Sequence, residues 1–364
     1  MKSKSFWFAI QLTFENNLEQ FVIPKEQVKK ILLIKLRGIG DVVCSTIVLD
    51  NLREDFPNAQ IDFLTEKPSS YGLKGLPQIN NVLIFNRKSL TERIKLAWQV
   101  RKSKYNLVID FFCNPSSAQI TFFSGSKIRI GFPLRGRKYA YNYFGPKERS
   151  KWHNAILHLK VLEKFGLTTK LQKLHYSLDK NSELFAKEYF SKTFKESDFV
   201  VGICPTGSWA SKKCDAKKFA EIAKLVIQKY NAKILILWGK GDEEDGEKLF
   251  NILKDKSVYA PPTSILEMAA LISGCKFLIA NDSGPMHIST ALGTPVLSIH
   301  GPTAPHLQGP FGDNHEWINL PELDCIICNL LECPRKHECF LELPNERIMD
   351  KIEKLINKNN LLSA

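Results

Sequence analysis

The chain has 364 residues, of which 44% are hydrophobic and 24% charged, and its formal net charge is +13. This length favours two domains over one, and the composition excludes a disordered or fibrous protein. Apolar runs such as residues 31–34 are far shorter than the ~20 residues of a membrane-spanning helix. The excess of basic residues predicts an affinity for acidic lipids or phosphorylated saccharides. Nucleic acid is not expected as a partner, because no nucleic-acid-binding motif accompanies the charge.

Residues 1–28 form an N-terminal extension with an apolar patch at residues 6–10 that breaks at Gln11. The extension has no cleavage site for a secretory signal. It predicts either a helix packed on the domain surface or an amphipathic segment on a membrane surface.

Strands and helices alternate through a first predicted domain, residues 29–190. Strands are expected at 31–36, 61–65, 82–85, 107–111 and 127–131, and helices at 41–55, 89–101, 116–123 and 154–165. Such alternation is typical of right-handed βαβ crossovers and a mainly parallel sheet.

A polar, lysine-rich stretch at residues 170–198 predicts a linker, after which the alternation restarts in a second domain, residues 198–340. Its strands are expected at 199–204, 233–238, 277–280 and 296–300, and its helices at 216–230, 244–253, 265–273 and 285–292. A last helix at 345–357 lies in a C-terminal segment, residues 345–364. The predicted fold class is α/β, with two Rossmann-like doubly wound domains facing a central cleft.

The first motif, residues 37–41, follows the first strand. Gly38 and Gly40 allow a tight turn into a helix. The third glycine of a dinucleotide fingerprint is replaced by Val43, which disfavours a nicotinamide oxidoreductase. Asp41 is expected either as the N-cap of the helix or as a general base at the mouth of the cleft.

The second motif, residues 281–287, joins a buried strand to a helix. Ser283 or Gly284 can precede the helix, whose unpaired N–H groups then form a site for a diphosphate. His287 is expected either to donate to a phosphate oxygen or to be a core or capping residue. Asp282 is better suited to accept hydrogen bonds from sugar hydroxyls.

The third motif is a loop of small residues and lysines at 205–213, after the first strand of the second domain. Its amides and Lys212 can hold phosphate, although the spacing of a P-loop is absent. A solvated surface charge is the alternative role for this lysine.

The fourth motif, residues 238–244, places Glu243 after a strand. Its carboxylate can bind ribose hydroxyls, or it can interact with the dipole of the next helix. The chain has no Asp-x-Asp pair of the kind that chelates a metal for nucleotide-sugar transfer. Helix N-termini and lysine would then stabilise the leaving group.

In this order the motifs resemble the family-9 glycosyltransferases, the heptosyltransferases of lipopolysaccharide core assembly, over about residues 30–355. The resemblance is carried by residues 34–42, 105–110, 127–132, 281–291 and 301–303. It implies a GT-B fold and an inverting, metal-independent transfer from an ADP-sugar, ADP-heptose above all, to the inner core of lipopolysaccharide. It implies no cofactor for catalysis.

By position, the resemblance gives Asp41 the role of catalytic base and Lys212 that of phosphate binding. Glu243 matches the ribose contact and Asp282 the donor-sugar contact. The diphosphate-binding turn corresponds to Ser283, Gly284 and His287, with Ser208 as a looser match in the phosphate loop. The family often has Trp-Pro where this chain has Cys214 and Asp215, which weakens the alignment there.

Charge alone marks a candidate acceptor surface in the first domain, at Arg129, Arg135, Arg137 and Lys138. It suits an anionic lipopolysaccharide core, and a cytoplasmic enzyme at the inner face of the inner membrane. A transferase with another ADP-sugar or surface glycan, and an inactive relative that only binds nucleotide sugar, are the alternatives.

Four of the nine cysteines are clustered near the C-terminus: Cys325, Cys328, Cys333 and Cys339. They could hold a structural zinc, although the middle spacings are short for a two-knuckle site. Disulfides and reduced packing are the other interpretations.

Overall fold

The computed structural model describes residues 21–362, which build two parallel six-stranded sheets. The first sheet has the order β3-β2-β1-β4-β5-β6 and the second β12-β11-β10-β7-β8-β9. The first six strands are Lys30–Ile34, Gln60–Thr65, Asn81–Ile84, Leu107–Asp110, Ile128–Gly131 and Tyr143–Phe144. Strands β7 to β12 are Val200–Cys204, Lys233–Ile236, Ser257–Tyr259, Phe277–Asn281, Val296–Ile299 and Glu316–Ile318.

Fourteen α-helices within residues 21–362 cover the sheets. Helices α1 to α7 are Ile39–Ser45, Leu49–Asp55, Lys67–Ser70, Leu90–Ser103, Pro115–Ser124, Asn154–Lys164 and Lys180–Thr193. Helices α8 to α14 are Ala216–Tyr230, Glu243–Leu253, Ile265–Gly274, Gly284–Leu292, Pro305–Gln308, Glu338–Leu341 and Asn345–Lys358. None of the described helices is long and apolar enough to cross a membrane.

The strand order of each sheet reverses at a switch point, where a crevice opens beyond the carboxyl ends of the strands. In the first sheet β1 lies between β2 and β4, with Ile34 opposite both Leu64 and Asp110. In the second, β7 likewise lies between β8 and β10. The predicted fold class is therefore confirmed: two doubly wound parallel domains in the GT-B arrangement.

The predicted linker, residues 170–198, contains helix α7. Asp179 caps it by accepting a hydrogen bond from the Ser182 amide at 2.8 Å. The helix packs on α10 of the second domain, and the Phe190 ring lies where a side chain at Gly274 would be. The lysine-rich sequence of α7 also contains aromatic residues, and these pack against α10. The domain limits 29–190 and 198–340 stay a prediction.

The first and last of the described residues, 21–362, pack against the two domains. Ile23 is buried in the first core, and Phe21 stacks on Tyr143 at 3.9 Å between ring centroids. The predicted membrane-surface segment lies mostly in residues 1–20, outside the described residues. At the other end, α14 buries Ile348 and Ile352 in the second core, as the predicted final helix requires.

Candidate active site

Asp41, the candidate base, lies in the first turn of α1, directly after a tight turn that Gly38 allows. Gly38 precedes α1 with a φ of +81°, and a side chain there would approach the Asp41 carboxylate to 2.8 Å. Asp41 is the third residue of α1, so its predicted role as N-cap is wrong: Gly38 takes that position. The Asp41 side chain is 45% exposed at the carboxyl end of β1.

Two side chains of the first domain hold the Asp41 carboxylate. The Asn154 amide nitrogen donates to Oδ1 at 2.7 Å, and the Lys35 ammonium lies 3.9 Å from the same oxygen. Lys35 is almost fully buried beneath it. Both contacts engage Oδ1, which leaves Oδ2 to meet a substrate.

Asn154 belongs to the start of α6, which also touches the second domain. His153 caps the helix, since its Nδ1 accepts from the Ala155 amide at 3.1 Å. Its Nε2 then carries the proton and donates to the Gly309 carbonyl at 3.0 Å. Burial lowers the pKa of His153, although the bond to Gly309 opposes this. One short segment thus links the base to the loop after α12.

Replacing Asn154 by alanine is expected to lower kcat by about tenfold to a hundredfold, because the carboxylate loses its orienting donor. The KM for the donor should stay unchanged. In the Asp41→Asn background the same substitution should have no further effect, which separates positioning from a structural role. Steady-state kinetics test this, with Asn181→Ala, an exposed asparagine in the first turn of α7, as matched control. An equal loss in both backgrounds would contradict it.

The predicted diphosphate turn lies at the start of α11. Ser283 is the N-cap of α11, but its side chain makes no capping hydrogen bond, and Gly38, the N-cap of α1, has no side chain to make one. The two helix starts meet: a Cβ at Gly284 would lie 3.5 Å from that of Ile39. The anion-binding turn and the base are therefore neighbours across the domain interface.

His287 packs into that interface. A Cβ at Gly40 would fall 2.1 Å from its ring, and Nδ1 lies 3.5 Å from the Cys44 sulfur. Burial lowers the pKa of His287 to about 4, against the attraction of Asp282 and Asp41. The imidazole is therefore neutral at pH 7 and can donate one hydrogen bond.

Lys212 and Asp282 form a buried ion pair beside the turn. The ammonium lies 2.7 Å from Oδ2, and the Thr303 hydroxyl donates to the same oxygen at 2.6 Å. Burial alone would raise the pKa of Asp282, but attraction to His300 and Lys212 outweighs it and holds the pKa below its usual range. The Lys212 ammonium also lies 4.5 Å from the centre of the Trp209 ring.

An interdomain cleft of about 990 Å³ opens beside these groups. Ser208, Ser283 and Gly284 line it from the second domain, and Tyr71 and Asp179 from the opposite side. The loop after β7 is held to β10, because the Asn281 amide donates to the Pro205 carbonyl at 2.8 Å. Two of the sequence motifs thus form one wall of the cleft.

Glu243 is the first residue of α9, close to this wall. Its Oε2 accepts from the Gly241 amide at 2.7 Å, a bond internal to the turn. The neighbouring Asp242 lines the cleft and pairs with Lys213 at 3.2 Å. The ribose role of Glu243 stays a prediction, and Asp242 is a second carboxylate at the same place.

Known proteins are similar to this chain in sequence and in fold. The model of glycosyltransferase family 9 (heptosyltransferase) matches residues 93–338. This chain belongs to glycosyltransferase family 9. Lipooligosaccharide heptosyltransferase 2 of Campylobacter jejuni is 26% identical over 87% of this chain and 96% of its own.

Solved structures of family relatives have the same fold. The family-9 glycosyltransferase of Veillonella parvula superposes with a TM-score of 0.79 at 21% identity, over 92% of this chain and 98% of that one. The ADP-heptose lipopolysaccharide heptosyltransferase II of Escherichia coli gives 0.73 at 20% identity, over 91% and 99%. The predicted family and enzyme class are confirmed.

The four predicted acceptor residues of this family-9 enzyme make separate contacts within the first domain, and their role stays a prediction. Arg129 donates to the carbonyls of Ser126 and Ala140, at 2.6 and 2.8 Å. Arg137 donates to the Cys113 carbonyl at 3.2 Å. Arg135 and Lys138 line a separate shallow pocket of about 550 Å³.

The clustered cysteines surround one small cavity of about 20 Å³, which Arg335 and Glu338 also line. They are Cys325, Cys328, Cys333 and Cys339, all free thiols. Burial raises the pKa of Cys339 to about 12, and the other three thiols add to this. No group of three or more His, Cys, Asp or Glu side chains within residues 21–362 has a metal-binding arrangement. The four thiols lie together, as their spacing in the sequence suggested, but the zinc site stays a prediction.

Sequence reasoning missed Asn154, Lys35 and the role of Thr303. Thr303 follows β11 in a segment that carried the family resemblance, so its position was a signal. Lys35 also lies in such a segment, residues 34–42, so its position was a signal too. Asn154 gave none, since an asparagine at a helix start is an ordinary surface residue.

Proposed function

We propose that this enzyme transfers heptose from ADP-heptose to the inner core of lipopolysaccharide, with inversion and without a catalytic metal. The observation that carries the proposal is the meeting of two uncapped helix starts, which sets Asp41 beside the turn at Ser283 and Gly284. The names of the relatives in Campylobacter and Escherichia support the sugar and the acceptor.

The donor diphosphate would occupy the start of α11, where backbone N–H groups and the helix dipole favour an anion. Ser208 and Lys212 stand on the loop that forms the adjoining wall. The Lys212 ammonium would interact with the phosphate. Lys212 and Thr303 contact only Oδ2 of Asp282, so its other oxygen can accept hydrogen bonds from the sugar. Glu243 or Asp242 would bind the ribose hydroxyls, and His287 would donate to a phosphate oxygen.

The transfer is a single displacement. The acceptor hydroxyl oxygen bonds to the anomeric carbon while the bond from that carbon to the phosphate oxygen breaks. Oδ2 of Asp41 takes the hydroxyl proton, and ADP leaves with the bonding electrons. The amides of α11 and Lys212 stabilise the charge that develops on ADP, the task a divalent cation performs in other transferases.

The enzyme would act in the cytoplasm at the inner face of the inner membrane, where an anionic lipid-linked acceptor lies. The net charge of +13 supports this location. The basic residues Arg129, Arg135, Arg137 and Lys138 would contribute to acceptor attraction through their field rather than by joint contact.

The test is ADP release from ADP-heptose with deep-rough lipopolysaccharide as acceptor, with and without a chelator. Acceptor-dependent release that survives chelation is expected, and NMR of the product should show an inverted anomeric centre. Donor binding without release would indicate another acceptor or an inactive relative. Absence of binding to every ADP-sugar would overturn the proposal.

The cysteine cluster gives a separate prediction. If its four thiols hold structural zinc, purified protein should contain about one zinc per chain and lose thermal stability on chelation. Cys328→Ser should lower the zinc content, whereas Cys275→Ser, which changes a buried thiol elsewhere, should leave it unchanged. Elemental analysis that finds no zinc or iron would remove the metal site.

A further inference from the structure

Helix α4 of the first domain exposes an apolar stripe. Leu90, Ile94 and Trp98 recur every four residues, so they lie along one side of the helix. Leu96 and Val100 bury the opposite side. An exposed stripe of large apolar side chains marks a site of contact with a membrane or a protein partner.

The neighbouring helix α5 extends this surface. The two helices pack together through Leu96, Val100 and Ile120, which share one buried cluster. At the end of α5, the Phe122 ring lies 6.1 Å from Phe123 and 5.7 Å from Tyr139 between centroids. We call this surface the aromatic–basic face; its apolar side chains, each 49–66% exposed, are Leu90, Ile94, Trp98, Phe122, Phe123 and Tyr139.

The charge around the aromatic–basic face is nearly all of one sign. Residues 87–138 contain twelve Lys and Arg but only two carboxylates, and one of these, Asp110, is buried. A shallow pocket of about 420 Å³ at the end of α5 is lined by Arg101, Lys104 and Lys127. A second, of about 550 Å³, contains Tyr139. No carboxylate of residues 21–362 lines either pocket.

We propose that the aromatic–basic face docks on the surface of an anionic lipid bilayer. The six apolar side chains enter the headgroup region, and the surrounding lysines and arginines meet lipid phosphates. A second copy of the chain fits this face poorly, because self-association would bring like charges together. The inference deepens the proposed function by giving its membrane contact a definite surface.

The position of the face suits a lipid-linked acceptor. Helix α5 begins at Pro115, just after β4, and β4 pairs with the strand that leads to Asp41. Docking through α4 and α5 would hold the first domain, which carries Asp41, against the membrane, while the second domain stays accessible to water-soluble ADP-sugar.

Cosedimentation of the full chain with vesicles tests the proposal. The wild type should bind vesicles of equal parts phosphatidylglycerol and phosphatidylcholine, release at high salt, and bind pure phosphatidylcholine weakly. Trp98→Ser with Phe123→Ser should lower the partition coefficient at least about tenfold. Lys95→Glu with Lys102→Glu should lower it by about fivefold per lysine or more.

The matched control places one apolar-to-serine and one lysine-to-glutamate change on α7, between the domains: Leu184→Ser with Lys187→Glu, both exposed there. It should bind as the wild type does. The proposal is overturned if the face variants bind normally, if the wild type ignores anionic vesicles, or if the face variants instead turn a dimer into a monomer by light scattering.

Transfer to a delipidated, soluble acceptor gives an independent reading. Face variants should retain it, since none of the changed residues touches the cleft. Vesicle binding with no transfer by any form would reject the proposed function and leave the docking surface standing. Transfer with no vesicle binding would reject the docking surface and leave the proposed function standing.

Discussion

Asp41→Asn is expected to lower kcat by ~10²–10⁴-fold, the usual contribution of a general base. Asparagine has nearly the same shape and keeps an oxygen that can accept from Asn154, so the geometry should survive. It cannot take the hydroxyl proton. The KM for the donor and the affinity for ADP should change little, because the donor contacts lie on the second domain. Steady-state kinetics with calorimetric ADP binding measure both.

Asp179→Asn is the matched control for this variant. Asp179 lines the cleft, and asparagine caps a helix as well as aspartate does, so α7 keeps its cap while the cleft loses a carboxylate. This variant should keep kcat within a few-fold of wild type. If Asp41→Asn retains more than a tenth of wild-type kcat, or if Asp179→Asn loses as much, Asp41 is not the base.

The other carboxylates near the cleft are already engaged: Asp282 pairs with Lys212, and Glu243 accepts from the Gly241 amide. Asp242 forms an ion pair with Lys213. In Asp41, one carboxylate oxygen accepts a hydrogen bond from Asn154 and the other is available. Its exposed position beside the start of α11 combines access for a hydroxyl with closeness to the leaving group. The choice of Asp41 therefore depends on geometry as well as on motif position.

Much of the fold could be predicted from the sequence, because the buried strands and amphipathic helices have strong periodic patterns. Helix α8 was predicted at its observed limits, and β7 and β10 within one residue at each end. The short outer strands β6, β9 and β12 were missed, because two or three residues carry no periodicity. The predicted helix at 41–55 is divided by a 3-10 turn at Thr46–Val48, which apolar spacing alone does not reveal.

Motifs at strand ends could be predicted because parallel strands present their carboxyl ends at one edge of the sheet. Pairings between distant side chains could not. Asn154 and Asp41 are 113 positions apart, and Lys212 and Asp282 are 70 apart. No local pattern encodes such a contact, since it depends on how the two domains and their loops pack. The sequence therefore marked Lys212 and Asp282 separately, as phosphate and sugar contacts.

Lys212→Met is expected to have the second large effect, on stability and on donor binding together. It leaves the Asp282 carboxylate buried with only the Thr303 hydroxyl, and breaking a buried pair in this way costs about 3–5 kcal/mol. It also removes a charged donor to phosphate, which should weaken ADP binding about tenfold to a hundredfold. Thermal unfolding and calorimetric titration with ADP measure the two losses. Lys213→Met, in a half-exposed pair, should cost far less stability.

Acid unfolding provides a check on the ion pair itself. The pKa of Asp282 is lowered in the folded protein, so its stabilising contribution is fully present above the unfolded pKa of about 3.9. It is lost as the pH falls through the lower folded value. The stability difference between wild type and Asp282→Asn should therefore be constant near neutrality and shrink below about pH 4. A difference that is unchanged in acid would show that Asp282 is not ionised in the fold.

The double variant Lys212→Met, Asp282→Asn separates the two roles of the lysine. Without the carboxylate no buried charge is left unpaired, so most of the lost stability should return. Affinity for ADP should not return, because the phosphate still lacks its cation. If ADP affinity recovers with stability, Lys212 serves only to neutralise Asp282, and the phosphate depends on the α11 amides alone. If neither stability nor ADP affinity recovers, Lys212 and Asp282 do not stabilise the protein as a coupled ion pair.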